Sequence, residues 1–252
     1  MIKLTIIGAG SAVFTKNIVT DLLSVDAFKK MEIALQDIDP VRLKASHELL
    51  NAIAEKLNAS PTITSHTDRK ESLLGSDFVQ TTIQVGGYKP STVIDFEIPN
   101  EYGLKQTIAD TLGIGGIMRG LRTIPVLLDI AKDIMDICPK AIWLQYVNPM
   151  CANMIAINNS FPEIKTVGLC HSVQGTAEML AKDLGEKIED IDYLCAGINH
   201  MAFYKKFEKK FNDGKNEDLY PRLKNLAEKI INDEELSSRS KKIDHESDKV
   251  LH

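Results

Sequence analysis

The chain has 252 residues, 44% of them hydrophobic and 26% charged, with a formal net charge of −5. That length can bury a full core, as one large α/β domain or as one and a half smaller ones. The acidic balance, with no basic stripe, argues against a nucleic-acid or anionic-membrane surface, and no apolar run is long enough to span a bilayer.

Met1-Ile2-Lys3 leads straight into a strand with no signal peptide. Cys138, Cys151, Cys170 and Cys195 therefore read as thiols rather than a disulfide framework, and the cytoplasm is the expected compartment. Residues 2–7 form a short apolar run, predicted as a buried parallel strand, followed by the turn Gly8-Ala9-Gly10-Ser11 and a helix whose apolar face includes Ile18, Leu22 and Val25. Gly8 and Gly10 let the backbone approach a pyrophosphate, whose charge is then held by the amides and dipole of the helix N-terminus. The third glycine of the dinucleotide fingerprint is absent, because Val13 stands in its place. A second strand over residues 33–39 ends in acid, and Asp37 is placed to accept hydrogen bonds from an adenosine ribose. It lies 37 − 8 = 29 residues after Gly8, against a usual spacing of about 20, which requires a longer crossover.

Pro40 opens a helix through Leu57, with Leu43, Leu49, Leu50, Ile53, Ala54 and Leu57 as its apolar stripe. Further strands are predicted at residues 62–66, 77–83, 141–147 and 165–169, with a helix over residues 121–137. Alternation of this kind implies a parallel, doubly wound sheet, in which ligands sit beyond the carboxyl ends of the strands. The residues to inspect are therefore Gln84 to Gly87, Asn148 with Pro149, and Cys170 with His171. Beyond residue 172 a helix, a strand-like stretch over 193–207 and a charged helix over 220–252 read as the start of a second domain.

Two patterns carry chemistry. Cys170 and His200, 200 − 170 = 30 residues apart, lack the spacing of a structural zinc site. Each alone reads as a core residue; together, beyond strand ends and beside His171 and Asn199, they suit an open mixed-ligand site for a divalent ion that polarises a substrate. The run from Gln106 to Thr123, rich in glycine and carrying Asp110, Arg119 and Arg122, reads either as a flexible surface loop capping the next helix or as a substrate loop. In the second reading Asp110 orients a base or a sugar hydroxyl, and Arg119 is a polar contact.

These motifs resemble glycoside hydrolase family 4, in its α-galactosidase branch, across essentially the whole chain. The resemblance rests on Gly8-Ala9-Gly10-Ser11, Thr82-Ile83-Gln84-Val85-Gly86-Gly87, the segment from Asp110 to Thr123, Asn148-Pro149-Met150, Cys170-His171-Ser172-Val173 and Cys195-Ala196-Gly197-Ile198-Asn199-His200-Met201. The cysteine tetrad is its most specific part. The resemblance implies a Rossmann-like NAD-binding domain over residues 1–172, followed over 173–252 by the start of an α+β substrate and oligomerisation domain. It implies NAD at Gly8, Gly10, Ser11, Asp37 and Gln84, and a divalent metal, Mn²⁺ or another transition ion, at Cys170 and His200. Substrate contact is implied at Asn148 and Arg119, proton donation at His171, and support of the base by Asp110.

Family 4 is an exception to the two-carboxylate scheme of glycosidases. The implied reaction oxidises sugar C3 to a ketone, which acidifies the C2 proton; a base removes that proton, the aglycone leaves C1, water adds, and the hydride returns. The base, a Tyr or Asp, is expected beyond His252, so the chain is expected to be an N-terminal portion lacking it and to form a dimer or tetramer when full length. The rival readings are an NAD-dependent hydroxy-acid dehydrogenase of the lactate or malate kind, which needs no metal, and a non-catalytic NAD-binding fragment.

Overall fold

Lys3–Ile7 forms β1, and its residues alternate between two cores because successive side chains point to opposite faces of a strand. Leu4 and Ile6 join one hydrophobic cluster, and Ile7 joins the other. Thr5 is fully buried between them, with its hydroxyl donating to the Ser72 carbonyl at 2.8 Å and paired with the Ser76 hydroxyl at 2.6 Å. This satisfies a polar group inside an otherwise apolar strand.

The computed structural model describes residues 1–232, which fall into two compact units, Met1–Leu169 and one beginning at Cys170. The division lies slightly before the expected one at 172/173. In the first unit β1 is followed by α1 (Ala12–Leu23), β2 (Glu32–Gln36), α2 (Pro40–Lys56), β3 (Thr62–His66), α3 (Arg69–Leu73), β4 (Phe78–Thr81), α4 (Val93–Glu101), α5 (Gly113–Ile137), β5 (Ile142–Gln145), α6 (Met150–Ser160) and β6 (Lys165–Gly168). The six strands are all parallel, in the order β3-β2-β1-β4-β5-β6. The order reverses between β1 and β4, and this is the switch point at which doubly wound sheets bind dinucleotides.

One cluster packs α1 and α2 onto the sheet through Val19, Leu23, Ile33, Leu35, Leu43 and Leu50. The other packs α5 and α6 onto the opposite face through Leu127, Ile130, Ile134, Trp143 and Ile157. Trp143 can be fully buried because its indole N–H donates to the Thr81 hydroxyl at 2.7 Å.

Two details differ from the expected elements. The buried face of α1 is Thr15, Val19 and Leu23, while Val25 is 50% exposed. A polar residue enters the buried stripe because the Thr15 hydroxyl donates to the Ala9 carbonyl at 3.1 Å. The second difference is that α5 begins at Gly113 rather than near residue 121, so the glycines of the stretch from Gln106 to Thr123 are helical while residues 106–112 are loop. Its glycines permit close packing: a Cβ on Gly115 would lie 2.3 Å from the Ala109 carbonyl oxygen, and one on Gly116 would lie 2.6 Å from that of Thr111. Tertiary contact thus overrides the poor helix propensity of glycine.

The second unit contains α7 (Ser172–Asp183), an antiparallel sheet of β7 (Ile191–Ile198), β8 (Met201–Lys210) and β9 (Asn216–Asp218), and α8 (Tyr220–Asn232). Its small core is Ala177, Ala181, Ile191, Phe207 and Leu219. The remainder of the helix expected through residue 252 lies outside the described residues. Among those residues no helix is long and apolar enough to cross a membrane.

Candidate cofactor, sugar and metal sites

The glycine turn is held from below by β2. The amides of Gly8 and Ala9 both donate to the Gln36 carbonyl at 2.9 Å, and the Gly10 amide donates to Asp37 Oδ2 at 2.7 Å. The other oxygen of Asp37 accepts from the Asp39 amide at 2.9 Å. Gly8 has φ +85°, and a Cβ there would lie 2.4 Å from the Thr82 carbonyl oxygen, so this position requires glycine twice over. Ser11 is the N-cap of α1 and makes no side-chain capping bond. Gly8, Gly10, Ser11 and Asp37 are therefore one constellation. Thr82 and Ile83 after β4 reach the turn, whereas Gln84 beyond them turns its side-chain amide to the Thr92 hydroxyl at 2.7 Å.

A second polar group lies on the α5 side of the sheet. Asp110 Oδ2 faces Arg119 Nη1 at 3.5 Å and Asn148 Nδ2 at 3.4 Å, so three residues picked out separately in the sequence converge. Burial pushes the Arg119 guanidinium below its ordinary value, against the opposing charges of Asp110 and Asp95. The Asn148 Oδ1 atom is buried with no protein partner, which fits an acceptor awaiting a ligand hydroxyl. The Asp110 segment is fastened by Gln106, whose amide donates to the Leu112 carbonyl at 3.1 Å and accepts from the Gly115 amide at 3.3 Å.

Sequence reasoning missed the neighbouring ion pair. Asp95 on α4 is fully buried and bound through both oxygens by Arg122, at 2.9 Å for the Oδ1 contact. Nothing local marks it, since the partners are 27 residues apart.

In the second unit, Cys170 Sγ lies 3.6 Å from His200 Nε2 and 3.0 Å from the Ser172 hydroxyl. The Ser172 amide also donates to the sulfur at 3.4 Å. His200 occupies the two-residue turn between β7 and β8 with φ +63°, in the left-handed region that few non-glycine residues adopt but histidine enters more readily than most. Burial opposes ionisation of Cys170, but hydrogen bonds from His200, Ser172 and Asn199 outweigh it and pull the thiol down to about 6. A thiol of that kind is a ready thiolate donor beside an imidazole. Asn199 Oδ1 is buried without a protein partner. The contribution of Ser172 was legible only as part of the Cys-His-Ser-Val tetrad. His171 itself is exposed and takes the N-cap position of α7, its carbonyl accepting from the Gly175 amide at 3.0 Å. Among the described residues no group of three or more His, Cys, Asp or Glu side chains converges. The Cys170–His200 pair thus offers two protein donors.

Residues 3–186 match the family 4 glycosyl hydrolases, and residues 195–250 match the family 4 glycosyl hydrolase C-terminal domain. An alpha-galactosidase of Bacillus subtilis is 52% identical over 90% of this chain and 51% of its own length. One of Rhizobium meliloti is 40% identical over 80% of this chain and 41% of its own. Among solved structures, a 6-phospho-alpha-glucosidase from gut microorganisms, in complex with NAD and glucose-6-phosphate, superposes with a TM-score of 0.79 at 26% identity, covering 89% of this chain and 49% of that one. The chain spans about half the length of the curated relatives it matches. With family matches over both units and this level of identity, the chain belongs to the family 4 glycosyl hydrolases.

Proposed function

We propose that this chain carries the dinucleotide and metal sites of an NAD- and Mn²⁺-dependent α-galactosidase of the cytoplasm, acting on α-galactosides as a dimer or tetramer when complete. The observation that carries the reading is the 3.6 Å approach of Cys170 to His200 in a chain whose other unit has the 3-2-1-4-5-6 sheet order. A hydroxy-acid dehydrogenase has no use for such a donor pair, and a binding fragment has no need of a thiol pulled down to about 6. The 52% identity to the Bacillus alpha-galactosidase supports the substrate class.

In this reading the sheet domain, residues 1–172, holds NAD, and residues 173–252 begin the substrate and metal domain. When bound, the dinucleotide supplies reversible hydride acceptance and the divalent ion supplies Lewis acidity at neighbouring sugar oxygens. The Gly8–Ser11 turn lets the pyrophosphate approach the N-terminus of α1, Asp37 accepts from the adenosine ribose, and Gln84 lines the cofactor site. Cys170 and His200 are the metal's protein ligands. Asn148 and Arg119 contact sugar hydroxyls, and Asn148 has a buried acceptor for one of them. Asp110, held by Arg119 and Asn148, supports the base, and the exposed His171 delivers a proton to the leaving oxygen.

The test is an anaerobic assay of p-nitrophenyl α-galactoside with NAD and Mn²⁺, run on this chain and on a version extended by the C-terminal half of a long relative. Hydrolysis that needs neither cofactor nor ion in the extended protein overturns the reading.

A further inference from the structure

Phe14 and Tyr146 are large aromatic residues that belong to neither hydrophobic cluster of their unit. Both are only partly buried, and their ring centroids lie 5.9 Å apart with planes tilted by 53°. Phe14 sits in the first turn of α1, just past the glycine turn. Tyr146 is the first residue after β5, and its amide donates to the Thr81 carbonyl at the end of β4 at 3.1 Å. The pair therefore joins the helix that follows β1 to the strand end beyond β4, straddling the point where the strand order reverses.

A dinucleotide with its pyrophosphate on the α1 N-terminus and its adenosine at Asp37 lies on the β2 side with that half. Its other half must run towards β4 and β5, where the aromatic pair stands. Burial raises the Tyr146 hydroxyl above its ordinary value, so the ring stays a neutral phenol at physiological pH. Oxidised nicotinamide is a cation and the reduced ring is not, and aromatic faces attract cations.

We propose that Phe14 and Tyr146 form the aromatic wall of the nicotinamide half-site and favour the oxidised, cationic ring over the reduced one. This rests on reading the crevice as a dinucleotide site. It assigns a redox preference to two residues outside the glycine fingerprint. A preference for the oxidised form suits a cofactor that must begin each turnover by accepting hydride.

The experiment measures affinity rather than activity. NAD⁺, NADH and ADP-ribose are titrated calorimetrically into the full chain and into Phe14→Ala, Tyr146→Ala and Tyr146→Phe, with circular dichroism as a check on folding. NADH is also followed by energy transfer from Trp143, the one tryptophan of the chain. The expected result is that both alanine variants weaken NAD⁺ by roughly 2- to 30-fold, weaken NADH less and leave ADP-ribose unchanged, while Tyr146→Phe behaves as the parent. Parent-like NAD⁺ affinity in both alanine variants overturns the inference, as does an equal loss for ADP-ribose, which would mark the pair as structural support. A parent chain that binds neither NAD⁺ nor ADP-ribose overturns the dinucleotide reading itself, and the inference with it.

Discussion

Asp37 and Gly10 are locked together: the Gly10 amide donates to Asp37 Oδ2 at 2.7 Å, and a Cβ on Gly10 would lie 2.7 Å from that same oxygen. The glycine thus serves two needs. It leaves room for the Asp37 carboxylate that follows β2, and in the proposed reading it also keeps the turn open to a pyrophosphate. Gly10→Val is expected to displace Asp37 and weaken NAD at least 100-fold. Asp37→Ala, which removes charge-assisted hydrogen bonds worth about 1.5–3 kcal/mol, should cost roughly 10- to 150-fold. Unchanged NAD affinity in Gly10→Val by calorimetry would falsify the assignment of this turn.

The metal should depend on Cys170 and His200 together, since two protein ligands leave little affinity to spare. Electron paramagnetic resonance titration of Mn²⁺ should show losses of about tenfold or more for Cys170→Ser and for His200→Ala, on the scale of removed coordination-shell contacts. Peroxide should release the ion from the parent, because an oxidised sulfur cannot replace the thiolate. A Cys170→Ser protein that holds Mn²⁺ as tightly as the parent shows that the ligand lies elsewhere.

Cys170 should also titrate in an unusual place in metal-free protein. With the thiol near 6, the reactive thiolate is fully formed above about pH 7 and is lost as pH falls through 6. Alkylation of the peptide bearing Cys170, followed by mass spectrometry, should give a midpoint near pH 6. In His200→Ala the midpoint should move up. Burial holds Cys138 in the opposite direction, up at about 11, so it serves as the unreactive internal control. A common midpoint for the two cysteines would contradict the geometry.

Gly115 offers a test of the α5 packing. In an ordinary helix, replacing glycine by alanine stabilises by about 0.4–1 kcal/mol. Here the added methyl meets the Ala109 carbonyl oxygen at 2.3 Å, and overpacking of that kind costs about 1–3 kcal/mol. Gly115→Ala should therefore lower the urea midpoint and, by shifting the segment that carries Asp110, weaken α-galactoside binding. A rise in stability means that the segment yields freely.

The reaction course can be read from solvent isotope. If the reaction follows the course that the family resemblance implies, turnover of a C-terminally extended version in D₂O should place deuterium at C2 of the released galactose, because on that route the proton leaves before the glycosidic bond breaks. NADH should not accumulate with substrate consumed. Hydrolysis by the extended protein with no deuterium at C2 would rule the route out.

The amino-acid sequence by itself determined the alternation of strands and helices, the glycine turn after β1 and the acid ending β2. Strands buried on both faces read as apolar runs, and turn residues leave a local mark. Cys170 and His200 were also legible, as residues beyond strand ends. Only the tertiary structure decided which way the faces turn and what meets what. It put Thr15 rather than Val25 on the buried side of α1, by giving a hydroxyl a carbonyl to bind. It wound the stretch from Gly113 into α5, because neighbouring backbone comes too close for any side chain. It paired Asp95 with Arg122, and it brought the sulfur of Cys170, just before α7, to the imidazole of His200 in the left-handed turn of the β7–β8 hairpin. The Asp95–Arg122 and Cys170–His200 contacts join residues 27 and 30 apart, where local periodicity carries no information; the Thr15 contact spans only six residues, yet it too depends on how the glycine turn folds back and not on the hydrophobic pattern.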